Sequence, residues 1–421
     1  MKFLNSSFNK NFALLFTGNS IGQLIPFIIA PFVARIYSPE NFATQENFLS
    51  IVSMISIIAA GRYDLALLLP TKNDDAKQLL SVSVILLSII FFISLFIPLF
   101  SPAINRFYNN ALLEGILIFI APAILFLTLN SILSQWLLRN NKIKILSVSR
   151  ILQNIIQNCA YLLIGYLGWK ESGLIYGWMI GIILPTIYIF IVSRENIFPV
   201  NFNKKAAITQ AKEHIDFPLI NSMHAFTDIF ATQFIIYWLI TKNYGALYLG
   251  LFALMNRFLR APMNIISSAL SQLYYKEASA NKSNKQEVLK LFKKVIKIIA
   301  LVSTILLVII LIWGPELFSI YLGQKWREAG VYAQIMIPAI FMNFLASVVS
   351  TSSLIFNQQK KAYLFSIIGY VLSFIVLISG NYFNYDFKTT LLAYSFCLAI
   401  YYGLLILWYT KIIKQNYESS N

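Results

Sequence analysis

The sequence predicts an all-α, polytopic membrane protein with twelve transmembrane helices in two six-helix lobes around a central cavity. Of its 421 residues, 58% are hydrophobic and only 12% are charged, and the mean hydropathy is +0.68. Soluble domains are usually about 45–50% apolar and about 25% charged. A soluble enzyme of this size could not cover its surface with so few charges, and the same numbers exclude a disordered chain.

Apolar stretches of about 20 residues, the length that crosses a bilayer, recur along the chain. Residues 81–100 are apolar on every side, which excludes the alternating strands of a β-barrel and favours helices that satisfy their own backbone. The first stretch is too long for a signal peptide and no small-residue cleavage site follows it. The predicted spans are 12–34, 47–70, 79–100, 113–138, 146–168, 173–193, 215–240, 248–275, 294–313, 331–355, 362–380 and 388–410.

The distribution of Lys and Arg predicts that both termini are cytoplasmic. With the N-terminus inside, 22 basic residues fall in inside loops and tails and 7 fall in outside loops. This bias and the anionic lipid of the inner leaflet account for the net charge of +16, so nucleic acid is not an expected partner. The longest inside loops, 194–214 and 276–293, are too short to form a catalytic domain.

The loop at 194–214 divides the spans into an N-terminal six-helix lobe, 1–200, and a C-terminal six-helix lobe, 201–421. Pro122-Ala123-Ile124 in the fourth span is repeated as Pro338-Ala339-Ile340 in the tenth. Such parallel repeats are typical of transporters. Chance similarity between apolar sequences is the alternative.

No soluble-enzyme motif is present, and we expect no catalytic residue, resident metal or cofactor. There is no Walker A loop, no dinucleotide-binding glycine fingerprint and no HExxH. Two histidines cannot form a histidine-rich metal site, and Cys159 and Cys397 lie in apolar stretches without a CxxC pair.

Function is therefore expected in the polar and charged residues inside the spans. A mid-bilayer arginine costs roughly 2.5–3.5 kcal/mol and rarely faces lipid. Residues three or four apart share a helix face, so the polar residues of four spans form stripes. The stripes are Arg257, Arg260, Asn264, Ser267 and Ser271; Asn221, His224, Asp228 and Thr232; Arg150, Asn154 and Asn158; and Asn343, Ser347 and Ser350.

Each stripe also has a purely structural interpretation. Ser and Asn stripes can join helices, Arg150 can snorkel to the cytoplasmic surface, and Asp228 can form an ion pair that only stabilises the bundle. His224 by itself is more typical of a satisfied core histidine. Arg62 and Asp64 are two residues apart, so on a regular helix they point to nearly opposite sides and need separate partners.

Three segments resemble motifs of the bacterial polysaccharide flippase family. Residues 31–42 resemble the turn "ARxxxPxxFG", with Ala43 in place of the usual glycine. Residues 61–70 resemble "RYDxAIxLP", and residues 250–272 resemble "GxYxxAxRxxxxPxxxIxxAxxxV".

The resemblance implies a member of the multidrug/oligosaccharidyl-lipid/polysaccharide exporter superfamily in the bacterial inner membrane. The implied function is alternating-access translocation of undecaprenyl-diphosphate-linked oligosaccharide repeat units to the periplasmic leaflet, for O-antigen or capsule assembly. Besides this cargo and membrane lipids, other polysaccharide-assembly membrane proteins are expected partners.

The residue chemistry independently agrees with such a cargo. Arginine binds phosphate bidentately and stays charged when buried, and Asn offers hydrogen bonds to sugar hydroxyls. The predicted cavity residues are Arg62, Arg150, Arg257, Arg260, Asn154, Asn221 and Asn264. Since no nucleotide site exists, H⁺ or Na⁺ is a candidate coupling ion, and the candidate residues are Asp228, Asp64 and His224.

The sequence leaves two other functions open. An ion-coupled drug exporter of the same superfamily would carry cationic cargo, and we would expect acids to dominate its cavity. A membrane-embedded polysaccharide polymerase or glycosyltransferase would be expected to have a long extracytoplasmic loop. The outside loops 101–112 and 314–330 are short.

The predicted topology can be tested by cysteine labelling. We expect single cysteines in the Lys204→Cys and Lys285→Cys variants to be protected in intact cells and to react after permeabilisation, since both are assigned to cytoplasmic loops. Cys159 and Cys397 are first replaced by serine, so that only the introduced thiol reacts. Labelling of either site from outside intact cells would contradict the orientation.

Overall fold

The computed structural model describes residues 24–197, 202–282 and 284–418. Within these ranges the chain is helical, without a β-strand. Residues 12–23 of the first predicted span lie outside the described part.

The chain forms two compact units, Met1–Gly250 and Leu251–Asn421. The predicted lobe boundary after residue 200 stays a prediction. The first unit contains α1 Leu24–Ile36, α2 Pro39–Ala59, α3 Tyr63–Ala66, α4 Asn73–Ser94, α5 Ser101–Tyr108, α6 Ile120–Arg139, α7 Ile143–Tyr166, α8 Gly173–Ile197, α9 Lys204–Glu213, α10 Ser222–Ile229 and α11 Ile235–Tyr244. Helix α12 runs across the boundary, and the second unit continues with the remaining helices: α12 Ala246–Ala280, α13 Lys285–Leu322, α14 Arg327–Val349, α15 Ser352–Ile355, α16 Gln359–Tyr382 and α17 Phe387–Glu418.

The helical, multi-span fold class is confirmed. Within the described ranges, nine helical segments are long and apolar enough to cross a membrane. The fifth and eighth predicted spans coincide with α7 and α12, which have 24 and 35 residues but are not among these nine. The polar stripes predicted for these two helices account for their lower hydropathy.

The second predicted span, 47–70, is wrong as a continuous helix. Helix α2 starts earlier because Ser38 and Asn41 form a reciprocal capping box, with Pro39 at the first helical position. It ends at Ala59, and Gly61 and Arg62 adopt left-handed backbone conformations with φ of 56° and 55°. The chain then re-enters a short helix, α3.

Interhelical hydrogen bonds join the helices of the first unit at buried tyrosine and amide side chains. The Tyr37 hydroxyl donates to the backbone carbonyl of Tyr161 at 2.7 Å. The Tyr161 hydroxyl accepts from Gln45 Nε2 at 2.8 Å and from Gln157 Nε2 at 2.7 Å. The Gln45 bond joins α2 to α7, and the Tyr37 bond joins the turn before α2 to α7. The Gln157 bond lies within α7 and orients the Tyr161 hydroxyl.

Small residues allow close backbone approach at two helix crossings. A Cβ on Gly250 would overlap the backbone carbonyl of Pro39. Both residues belong to the motifs that resemble the flippase family, so the structure gives these motif positions a packing role. In the second unit, a Cβ on Gly330 would likewise overlap the backbone of Gly314.

The contact at Gly250 generates a stability prediction. We expect Gly250→Ala to lower the free energy of unfolding by about 1–3 kcal/mol, because a rigid backbone carbonyl cannot move away as a side chain can. The measurement is the thermal unfolding of purified protein. Gly115→Ala is the matched control, since a Cβ there would meet no heavy atom within 4 Å. Equal unfolding temperatures for the two variants would contradict the packing role.

Candidate functional site

The break between α2 and α3 places a strained arginine inside the second predicted span. Of the described non-glycine residues with positive φ, Arg62 alone is not an asparagine; the others are Asn109, Asn141, Asn357 and Asn384. Asparagine tolerates this conformation because its short side chain bonds to local backbone, whereas arginine gains nothing similar. Such strain persists where the surrounding structure holds it, often at binding sites.

The break brings Arg62 and Asp64 to one cavity. Its volume is about 240 Å³, and all its lining residues belong to the first unit. The prediction that the two side chains point to opposite sides is therefore wrong, because it assumed a regular helix. The lining residues are Ser53, Ser56, Ile57, Ala60, Arg62, Asp64, Leu127, Thr128, Ser131 and Ile229.

One carboxylate oxygen of Asp64 accepts a hydrogen bond, and the other is buried without a partner. Its side chain is only 4% exposed, and the Ser131 hydroxyl donates to Oδ2 at 2.7 Å. Oδ1 is buried without a hydrogen-bond partner, and so are Arg62 Nε and Ser56 Oγ in the same cavity. A buried unsatisfied polar group costs about 1–3 kcal/mol, and more when it is charged. The cost of these three atoms adds to the backbone strain at Arg62, so the break between α2 and α3 is held by the surrounding packing.

The seventh predicted span is irregular around its polar residues. Two π-helical segments, Phe217–Asn221 and Phe230–Phe234, lie before and after α10. Asn221, His224 and Asp228 are exposed side chains in this region. π-Helical turns are rare in proteins, and those that occur are often found at functional sites. This span therefore stays a candidate for function.

The stripe of α7 bonds to its own helix. Asn154 Nδ2 donates to the carbonyl of Arg150 at 2.8 Å, and Asn158 Nδ2 donates to the carbonyl of Asn154 at 2.8 Å. In each bond the amide nitrogen donates to a backbone carbonyl, so the amide oxygen remains available as an acceptor. They agree with the structural interpretation of this stripe.

In the second unit, Arg260 is held by neutral groups. Its Nε donates to Asn256 Oδ1 at 3.2 Å, and one terminal nitrogen donates to Asn343 Oδ1 at 3.3 Å. Asn343 belongs to α14, so these bonds orient the guanidinium between two helices while neither partner neutralises its charge. Arg257 and Asn264 are exposed residues of the same helix, and Ser267 donates to the carbonyl of Asn264 at 3.3 Å.

Ser347 in α14 and Ser350 directly after it were predicted as part of a stripe, but both bond locally. Ser347 Oγ donates to the carbonyl of Phe344 at 2.9 Å, and Ser350 Oγ donates to that of Ser347 at 2.7 Å. Among the described residues no group of three His, Cys, Asp or Glu side chains could hold a metal ion.

Ser56 and Ser131 were missed by sequence reasoning. Serine is common in membrane helices, and these two lie in α2 and α6, far apart in the sequence. Only the convergence of these helices brings them to Asp64, so no sequence signal distinguishes them from other serines.

Comparisons with known proteins identify the family and the fold. Residues 32–331 match a family described as "Polysaccharide biosynthesis protein". The fold is similar to an inward-facing multidrug resistance MATE family transporter of the MOP superfamily, with a TM-score of 0.72, 12% identity, and coverage of 97% of this chain and 96% of that chain. It is also similar to the lipid II flippase MurJ in an inward closed conformation, with a TM-score of 0.74, 15% identity, and coverage of 95% and 87%.

A third similar structure is a MOP superfamily transporter from Pyrococcus furiosus, with a TM-score of 0.56, 11% identity, and coverage of 96% of each chain. At these identities the likeness establishes the fold alone. A comparison with curated protein sequences gives no significant match.

The geometry of Arg260 generates a prediction. We expect a double-mutant cycle between Arg260→Ala and Asn343→Ala to give a coupling free energy of unfolding of about 1 kcal/mol, the net value of one hydrogen bond. The measurement is the unfolding of purified protein. Arg257→Ala combined with Asn343→Ala is the control cycle. Additive effects in the first cycle would contradict the bond between α12 and α14.

Proposed function

The chain belongs to the polysaccharide biosynthesis protein family, and from this premise we propose that it is a flippase for lipid-linked oligosaccharides. The proposed cargo is an undecaprenyl-diphosphate-linked repeat unit. It is carried from the cytoplasmic to the periplasmic leaflet of the bacterial inner membrane by alternating access, for O-antigen or capsule assembly. Both termini are proposed to be cytoplasmic.

The observation that carries the proposal is the charge of Arg260, oriented by two neutral amides inside a predicted span. An anionic diphosphate crossing a bilayer needs fixed positive charge, and a guanidinium whose partners are uncharged retains its full attraction for phosphate. The proposed cargo-binding residues are those predicted from the sequence, with Arg257 and Arg260 as the binders of the diphosphate.

Ion coupling is proposed to involve Asp228. It is an exposed carboxylate between two π-helical segments of a membrane-spanning region. A change in its charge would bias a conformational cycle, because a ligand shifts an equilibrium only by binding one state better than another. Asp64 and His224 are the other candidates.

A drug exporter is the main competing function, since the fold is also similar to a multidrug resistance transporter. The charge of the residues in the transport path distinguishes the two functions. Cationic drugs require acids in the transport path, whereas the clearest intramembrane charges predicted for this chain are four arginines against Asp64 and Asp228. We therefore favour an anionic cargo. The short loops give no support to an enzyme of polysaccharide synthesis.

The decisive experiment measures movement of the lipid-linked repeat unit, isolated from cells that make this protein, across proteoliposomes containing the full chain. We expect transport by the wild type and a loss of at least about tenfold in the Arg257→Ala, Arg260→Ala double variant, because charged hydrogen bonds to phosphate are removed. Lys at both positions should restore part of the activity.

The matched control is Arg327→Ala. Arg327 lies in a predicted outside loop and forms an ion pair with Glu316 at 2.6 Å. The Arg327→Ala variant should transport the lipid-linked repeat unit as fast as the wild type does. No transport by the wild type would overturn the flippase proposal, and normal transport by the double variant would leave these arginines with only a structural role. In the same assay, full transport by Asp228→Asn that resists a proton uncoupler would eliminate Asp228 as the coupling residue.

A further inference from the structure

We propose that one face of α13 binds anionic phospholipids of the surrounding bilayer. This surface, called the α13 lipid face, combines exposed lysines near the start of the helix with exposed apolar residues further along it. Its residues are Lys293, Lys294, Lys297, Leu301, Ile305 and Ile312. The inference goes beyond the proposed flippase function, because it concerns the lipid around the protein and not the cargo.

Helix α13 has one buried side and one exposed side. Successive residues of an α-helix are about 100° apart, so residues three, four or seven positions apart lie on the same side. Phe292, Ile299 and Ile310 are buried and form the side that packs within the second unit. The residues of the α13 lipid face recur at the same spacings on the opposite side of the helix.

The apolar half of the α13 lipid face is exposed over about three helical turns. The exposed fractions of Leu301, Ile305 and Ile312 are 70%, 61% and 55%. The most apolar stretch of the segment Gln286–Leu322 has a mean hydropathy of 3.1, the highest of the nine segments, and only 17% of that stretch is buried. So large an exposed apolar surface is stable in contact with acyl chains and not with water.

Three lysines continue the same face beyond its apolar half. The side chains of Lys293, Lys294 and Lys297 are exposed. Between residues 285 and 314 the sequence contains one acid, Glu287, which pairs with Lys290 at 2.8 Å. The charges of that pair cancel, so the three lysines give this end of the face a net positive charge. Basic residues directly next to a membrane span attract anionic lipid headgroups.

The two ends of α13 indicate where the bilayer lies along the helix. Trp313 is 52% exposed and lies beyond the apolar half, and tryptophan is enriched at the membrane–water interface. Lys297 precedes Trp313 by 16 residues, which is about 24 Å of helix and close to the roughly 30 Å of a hydrocarbon core. Lysine side chains extend to the headgroups over such a difference. One lipid molecule can therefore contact the lysines with its headgroup and the apolar residues with its acyl chains.

The kind of cation favours a phospholipid over the diphosphate of the cargo. A lysine ammonium is a hydrated point charge without the fork that lets arginine bind phosphate bidentately. The three lysines are exposed and are distributed over more than one helical turn, so they match the single phosphates of neighbouring lipids better than one compact diphosphate. We therefore assign the α13 lipid face to anionic phospholipids.

The test titrates purified full-length protein in detergent with two phospholipids that have the same acyl chains. Phosphatidylglycerol is anionic and phosphatidylcholine is zwitterionic, and native mass spectrometry measures how tightly each one binds. We expect the wild type to bind phosphatidylglycerol at least about tenfold more tightly than phosphatidylcholine. The Lys293→Gln, Lys294→Gln, Lys297→Gln variant should lose most of this preference, whereas its binding of phosphatidylcholine should not change.

The matched control is the Lys204→Gln, Lys205→Gln, Lys212→Gln variant. It removes three exposed lysines and changes the net charge by the same amount, but α9 has only 10 residues, so no membrane-length apolar face continues from them. The control should keep the preference for phosphatidylglycerol. Because all six lysines are exposed, both variants should unfold at the temperature of the wild type, which thermal unfolding checks.

Four results would overturn the α13 lipid face. Equal binding of both phospholipids by the wild type removes the selectivity for anionic lipid, and an unchanged preference in the α13 variant places that selectivity elsewhere. An equal loss in both variants indicates attraction by net charge alone. In a parallel titration, undecaprenyl diphosphate that binds more tightly than phosphatidylglycerol, and loses this advantage only in the α13 variant, assigns the face to the cargo.

Discussion

Satisfaction of polar groups without water is the constraint on which the rest of this structure depends. In lipid, each backbone and side-chain polar group needs a partner within the protein. Hydroxyl groups inside the helices find this partner in the preceding turn of the same helix. Thr186 Oγ1 donates to the carbonyl of Ile182 at 2.6 Å, and Ser193 Oγ donates to the carbonyl of Ile189 at 2.6 Å. Thr186 also accepts from Asn130 Nδ2 at 2.9 Å, so one hydroxyl serves its own helix and a neighbouring one.

The surroundings of two arginines in the predicted spans differ with respect to this constraint. Arg260 is oriented by amide oxygens of Asn256 and Asn343, and these neutral partners leave its charge uncompensated. Arg62 lies beside a carboxylate in a cavity, and its Nε has no partner there. The first arrangement leaves the charge of the guanidinium unbalanced, whereas the second places it near the opposite charge of Asp64.

The motifs that resemble the flippase family have distinct physical roles in this chain. Gly250 lacks a side chain where the carbonyl of Pro39 approaches, so this pair of motif positions is explained by packing. The segment Gly61-Arg62-Tyr63-Asp64 is explained by backbone conformation, since two consecutive left-handed residues turn Arg62 and Asp64 to one cavity. The first pair sets the distance between two backbones and the second sets the direction of two side chains, although sequence similarity marks them equally.

The sequence by itself determined the helical membrane fold class, the family and the positions of most spans. These follow from composition, hydropathy and short motifs. Each of these signals can be read from a stretch of sequence no longer than one membrane span, without knowledge of how the helices pack. It also singled out Arg62, Asp64 and Arg260, because a charge in an apolar stretch is costly wherever the stretch packs.

Only the tertiary structure decided what these charges contact. The left-handed turn at Gly61 and Arg62 reversed the expected directions of two side chains, since a helical projection cannot anticipate a break. The partners Ser131 and Asn343 come from helices distant in sequence, and the cavity exists only where α2, α6 and α10 converge. Periodicity along one helix specifies which face is polar, but the partner on that face depends on the packing of several helices together.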